Sequence, residues 1–168
     1  EIIKDIKEIE YTLDQIEKGH YKHFMLKEIF EQPKSINDAI RGRIDSNNNV
    51  KLGGVLDWVD RILSAEHICI TACGTSWHAA QIGRYFLEDI LKKPIQVEYA
   101  SEFRYRSKII NEKSLVIAIS QSGETADTLA AVKKAKEKNA LTLGIVNVVG
   151  STIARETDCG IYMHAGPE

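Results

Sequence analysis

The chain has 168 residues, 43% of them hydrophobic, and its 22 Lys and Arg stand against 24 Asp and Glu for a formal net charge of −2. That length and apolar content suffice to bury a core, which argues against disorder and for one domain with some appended structure. The near-neutral balance excludes a bulk attraction to nucleic acid or to an anionic membrane, so any anion is bound locally.

No apolar run, Leu115 to Ile119 being typical, approaches the roughly 20 residues that span a bilayer, and the N-terminus has no signal-peptide pattern. A cytoplasmic protein is therefore expected. Cys69, Cys73 and Cys159 show no metal-ligand spacing, and their odd number suggests reduced thiols, so no structural zinc is expected and no cofactor is implied. Glu1 in place of an initiator Met, and an end at Ala165-Gly166-Pro167-Glu168 just after an apolar segment, predict a fragment excised from a longer protein.

From Glu1 to about Lys18, Ile2, Ile6, Ile9, Leu13 and Ile16 recur at three- and four-residue steps, which predicts a charged helix with one apolar stripe that Gly19 stops. A second helix through Phe24 to Phe30 is expected to end near Pro33, and a further one to start at Ser35. Asp45 to Asn49 reads as a polar turn and Val55 to Leu63 as a short amphipathic piece. Residues 1–64 are thus expected to form a helical segment packing on the core of a domain at 65–168.

After Ala65 strands alternate with helices. The β-branched run His67 to Ala72 gives way at Gly74 to a helical pattern through Leu91, and Ile95 to Tyr99 precedes a short helix from Ser101. Leu115 to Ile119 precedes a helix over Thr125 to Lys138. Leu141 to Val146 is a fourth strand, Gly150 to Arg155 a short helix, and Gly160 to His164 a fifth strand. This alternation predicts a parallel five-stranded sheet with helices on both faces, an α/β three-layer αβα sandwich preceded by the N-terminal helices.

In such sheets ligands bind beyond the carboxyl ends of the strands. Two loops there are rich in hydroxyls, Cys73-Gly74-Thr75-Ser76 and Ser120-Gln121-Ser122-Gly123-Glu124-Thr125, each opening directly into a helix. A phosphate at that place meets unpaired backbone N–H groups, the positive end of a helix dipole and Ser and Thr hydroxyls, while Gly123 lets the backbone approach closely. Capping alone would use one hydroxyl per helix, for example Thr125 or Ser76, and leaves the others unexplained. Neither loop matches GxxxxGK[ST] or GxGxxG, so a sugar phosphate fits better than a nucleotide.

Together these two loops resemble the sugar isomerase (SIS) domain, whose fold is flavodoxin-like. The segments His20 to Pro33 and Ala100-Ser101-Glu102-Phe103-Arg104-Tyr105-Arg106 further resemble a group of SIS proteins in which a glutaminase domain precedes two SIS lobes. The resemblance covers nearly the whole chain from Gly19. It implies a lobe that binds fructose 6-phosphate and glucosamine 6-phosphate, within an aminotransferase that combines fructose 6-phosphate with glutamine-derived ammonia for amino-sugar synthesis.

Matched by position, the resemblance implies that Ser76, Ser120, Gln121, Ser122 and Thr125 contact the phosphate, with Thr75 close to the sugar. It places the catalytic glutamate, histidine and lysines mainly in a second lobe, a C-terminal tail or a neighbouring subunit, so this chain is expected to bind without turnover and to pair as a homodimer through its isomerase lobes. A phosphosugar-sensing SIS module of a regulator and a stand-alone phosphosugar isomerase are the alternatives. The former would carry a basic recognition helix, which is not evident before Ala65, and the latter its own acid and base.

Among local candidates, Glu124 beside a phosphate dianion is electrostatically awkward, and its carboxylate is expected to bond backbone amides near the helix start or an adjacent basic residue. Cys73 lacks a sequence-adjacent base and reads as a small packed residue. His78 is assigned no role. Arg104 and Arg106, alternating with Phe103 and Tyr105, read as structural or interface residues, and Lys133-Lys134-Ala135-Lys136 as a solvated helix face.

Overall fold

A computed structural model of the chain describes residues 17–106 and 109–166. The helix expected from Glu1 lies outside the described residues. The rest falls into two compact units, residues 17–41 with 164–166 and residues 42–163.

The first unit is built on helix α1, Phe24–Ile40, which contains Pro33. The expected break near Pro33 does not occur, and the helix expected from Ser35 is the second half of α1. Pro33 removes only the N–H that would reach the Ile29 carbonyl, a local loss of about 3 kcal/mol, and the good helix formers that precede it, Met25 to Lys27 with Glu28, Glu31 and Gln32, favour the helix against that loss. The Lys27 ammonium is buried and donates to the Glu17 carbonyl at 2.6 Å, which satisfies the charge locally.

In the second unit Asp45 to Asn49 forms the expected turn. The Asp45 carboxylate accepts the N–H groups of Asn47 and Asn49, and Ile44 pairs with Val50 across it. The amphipathic piece is a 3₁₀ turn, Gly53–Trp58, that runs into α2, Val59–Ser64. Then come β1 (His67–Ala72), α3 (Gly74–Leu91), β2 (Ile95–Tyr99), α4 (Ala100–Arg106), β3 (Ser114–Ser120), α5 (Ala126–Lys136), β4 (Leu141–Val146), α6 (Thr152–Glu156) and β5 (Cys159–Tyr162).

All five strands are parallel in the order β2-β1-β3-β4-β5. The central strands β1, β3 and β4 are buried on both faces, as their near-continuous apolar runs require. Ile68, Ile70, Leu115, Ile117, Leu141 and Leu143 pack on one side with Ala80 of α3 and with Val55, Trp58 and Ile62. Cys69 and Val116 pack on the other with Phe103 of α4 and Ala131 and Ala135 of α5, and Ala118 and Val146 with Val132 and Ile153. Each fully buried Leu, Ile or Phe contributes roughly 1.5–3 kcal/mol. The alternation along β1, β3 and β4 thus produces the three-layer αβα sandwich.

Two close approaches fix the last strand. A Cβ at Gly54 would overlap the Gly160 carbonyl oxygen, and one at Gly160 would lie 2.8 Å from the Gly144 carbonyl oxygen. Asp158 sits beneath the same edge, accepting the Thr142 N–H at 2.9 Å and its hydroxyl at 2.8 Å.

Candidate functional site

The strand order places a topological switch point between β1 and β3: the connection from β1 runs outward to β2, that from β3 outward to β4. Because Ala72 pairs with Ile119 in register, both strands end at the same level. Helix α3 starts from there on one face and α5 on the other, so a crevice opens between two helix N-termini, the place where doubly wound sheets bind ligands. Thr75 and Ser76 lie in the first turn of α3, with Thr75 exposed and Ser76 half-buried. Ser120 ends β3, and Gln121, Ser122 and Thr125 occupy the β3–α5 loop. The fold therefore brings the two hydroxyl-rich loops to adjacent strand ends.

The hydroxyls do not serve mainly as caps. Thr125 is the N-cap of α5 yet makes no side-chain cap hydrogen bond, and its Oγ1 lies 3.1 Å from Ser120 Oγ. Ser120 Oγ also accepts the Gly123 N–H at 3.0 Å, and Ser122 Oγ accepts the Glu124 N–H at 3.2 Å. Cys73, the N-cap of α3, has no side-chain cap bond either. The loop is thus cross-tied by its own hydroxyls around Gly123, whose φ of +67° a residue with a side chain adopts only with strain. The buried Thr128 hydroxyl donates to Cys73 Sγ at 3.9 Å and so joins the first turn of α5 to the end of β1. Cys73 packs against the core, in keeping with its reading as a small packed residue.

Glu124 points out of the crevice. Its Oε1 accepts the Thr152 N–H at 2.7 Å. Hydrogen bonding to the Thr152 side chain and N–H, then the charge of Arg155, holds its carboxyl below the ordinary carboxylate range. It is ionised at neutral pH and engaged with backbone, which suits an anchor and not a proton donor. His78 is exposed and meets the Trp77 ring edge-on at 5.1 Å. Arg104 pairs with Asp127 at 3.2 Å across α4 and α5, a structural contact. Of the lysines on α5, Lys136 bonds Asp158 at 3.2 Å and the Glu156 carbonyl at 2.8 Å, and so is a structural tie as well as part of an exposed face.

Sequence reasoning passed over two features. The Trp77 and Tyr99 rings stack at 4.3 Å between the start of α3 and the end of β2, with the indole N–H buried and without a partner among the described residues. The segment after β4, Asn147 to Ile153, lies against the Ser120–Thr125 loop. A run of Gly150, Ser151 and Thr152 after a strand was the available signal for the second feature. For the first there was none, because Trp77 and Tyr99 are far apart in sequence.

The SIS domain family model matches residues 61–168, and the chain belongs to the SIS domain family. Within that family, it is 57% identical over 98% of its length to a glutamine–fructose-6-phosphate aminotransferase [isomerizing] from Chlorobaculum tepidum, of which it covers 27%. It is 55% identical over its whole length to the protein of the same description from Bacteroides thetaiotaomicron, of which it covers 28%. The chain thus spans little more than a quarter of these curated relatives. Among solved structures, the C-terminal domain of glucosamine-fructose-6-phosphate aminotransferase from Francisella tularensis superposes with a TM-score of 0.78 at 41% identity, over 90% of this chain and 42% of that one. No described helix is long and apolar enough to cross a membrane.

Proposed function

We propose that this chain is the sugar-phosphate-binding lobe of the isomerase part of a glutamine–fructose-6-phosphate aminotransferase, taking fructose 6-phosphate and glucosamine 6-phosphate in amino-sugar synthesis in the cytoplasm. The observation that carries this reading is the crevice at the β1/β3 switch point, where two hydroxyl-rich loops open into helices and neither N-cap side chain caps its helix. Ser76, Ser120, Gln121, Ser122 and Thr125 hold the phosphate, and Thr75 faces the sugar. Residues 65–168 are the sugar-phosphate module.

Moving a proton between adjacent sugar carbons needs a base within hydrogen-bond reach of the substrate. Glu124, the carboxylate in the proposed cradle, is held by Thr152. The lobe therefore binds, and turnover belongs to a second SIS lobe, with ammonia from a glutaminase domain, both outside this chain. A homodimer is part of the proposal. The outward face of α3 carries Ile82, Tyr85, Phe86 and Ile90, exposed by 61–74% and spaced along one stripe, which favours cover by another surface.

The test is calorimetric titration with fructose 6-phosphate, glucosamine 6-phosphate and unphosphorylated fructose, repeated on a folded Ser120→Ala/Ser122→Ala variant. Binding that requires the phosphate and weakens in the variant supports the site, whereas unchanged binding moves it elsewhere. Sedimentation that shows only monomer at high concentration contradicts the dimer.

A further inference from the structure

The Ser120–Thr125 loop is gripped from its β4 side. The Asn147 N–H donates to the Gln121 carbonyl at 3.2 Å, and the Ile153 N–H to the Gly123 carbonyl at 2.9 Å. Ser151 closes the gap between these two bonds. A Cβ at Gly123 would overlap Ser151 Oγ and lie 2.5 Å from Ser151 Cβ, so the serine side chain occupies the space that glycine leaves. Ser151 is 4% exposed, and its hydroxyl has no hydrogen-bond partner among the described residues. A buried hydroxyl left unpaired is unfavourable, which makes its placement against Gly123 a feature to explain.

A trans peptide group points its C=O and N–H in opposite directions. With the carbonyls of Gln121 and Gly123 turned toward the segment after β4, the N–H groups of Ser122 and Glu124 are turned the other way. Because β4 and β1 flank β3 on opposite sides, that way is toward the end of β1 and the start of α3. A left-handed residue between such N–H groups makes them converge into a concavity that suits an anion, and Gly123 supplies it at φ +67°. Ser122 Oγ accepts the Glu124 N–H, a position that a phosphate oxygen would take over.

We propose that residues 147–153 are a clamp that presents the N–H groups of Ser122 and Glu124 to the ligand's phosphate, with Ser151 a positioning residue that fixes Gly123 without touching the ligand. The proposal rests on the reading that this loop holds a sugar phosphate. It adds the element that orients the loop.

The test uses the 168-residue chain as wild type, Gly123→Ala, Ser151→Gly and the double variant. Each is titrated with fructose 6-phosphate and with inorganic phosphate, its melting temperature is recorded, and the Ser122 and Glu124 amides are followed by NMR. Gly123→Ala is expected to weaken both phosphates by roughly tenfold, the scale of one lost hydrogen bond to a charged group. Ser151→Gly is expected to weaken them several-fold and to shift both amides with little change in melting temperature. The double variant is expected to bind several-fold more tightly than Gly123→Ala, because the overlap is relieved. If Gly123→Ala does not fold, Ser151→Gly carries the test alone. Wild-type affinity and unshifted amides in Ser151→Gly, or a folded double variant no better than Gly123→Ala, overturns the clamp. A wild type that binds neither phosphate, while Ser151→Gly still shifts the amides, overturns the phosphate site and leaves the clamp geometry standing. No binding and no shift overturns both.

Discussion

Thr125 stands at the N-cap of α5, and its hydroxyl lies 3.1 Å from Ser120 Oγ with no cap bond to its own helix. The two residues that bracket the loop are thereby joined across it, and the same Ser120 oxygen accepts the Gly123 N–H at 3.0 Å. A six-residue loop with one glycine would otherwise sample many conformations. These two bonds select one of them.

Removing the shared oxygen should therefore be felt in both stability and binding. Ser120 is 3% exposed, so Ser120→Ala leaves the Gly123 N–H without its acceptor and the Thr125 hydroxyl without its partner. A loss of about 1–3 kcal/mol is expected from the unsatisfied groups. Chemical denaturation measures it, and an unchanged midpoint would show that the loop does not depend on Ser120.

The approach of Gly54 to Gly160 makes a second prediction, remote from the site. A methyl at residue 54 meets a backbone carbonyl that belongs to β5 and cannot swing aside like a side chain. Gly54→Ala should destabilise the sheet unit by about 1–3 kcal/mol through overpacking, whereas Gly53→Ala, with open space at its Cβ, should cost much less. Thermal melting of the two variants side by side compares them.

Asp158 predicts acid sensitivity. Burial pushes its carboxyl up, but the Thr142 N–H and hydroxyl and the Lys136 ammonium together outweigh that and hold it below its ordinary 3.8. A carboxyl depressed in the folded state contributes stability that is present above its unfolded value and is lost as pH falls through the folded one. Wild type should lose melting temperature more steeply below pH 3.8 than Asp158→Asn, which carries no charge to titrate. Parallel pH profiles for the two proteins would refute the assignment.

The buried thiols should be inert. Burial pushes Cys69 up to about 12 and Cys159 up to about 11, so at pH 8 the reactive thiolate of Cys69 is only about one part in ten thousand. Iodoacetamide at pH 8 should leave both cysteines unmodified in the native protein and modify both after unfolding, as mass spectrometry of the peptides would show. Rapid native labelling of Cys69 would mean that β1 is not packed as described.

The parts of this protein legible in the sequence are those set by local pattern. β-Branched runs such as His67 to Ala72, followed by glycine and a helical period, show strand, loop and helix because each residue's preference agrees with its neighbours'. The hydroxyl clusters at Thr75-Ser76 and Ser120–Thr125 were visible because polar residues at strand ends have no role in the sheet ladder. Pro33 misled because a helix can absorb one missing N–H when the turns before it favour helix, and that balance is invisible to a rule about single residues.

By itself, then, the sequence determined the alternation of strands and helices, the parallel sheet it implies and the residue types at the two strand ends. Tertiary structure alone decided which strands are neighbours, that β1 and β3 end at one level, and that Glu124 faces Thr152 while Ser151 fills the space beside Gly123. Those relations join residues 16 positions apart or more, and they depend on how strand twist and helix packing bring distant loops together. No local preference encodes such distances, because they follow only when the central strands bury both of their faces at once.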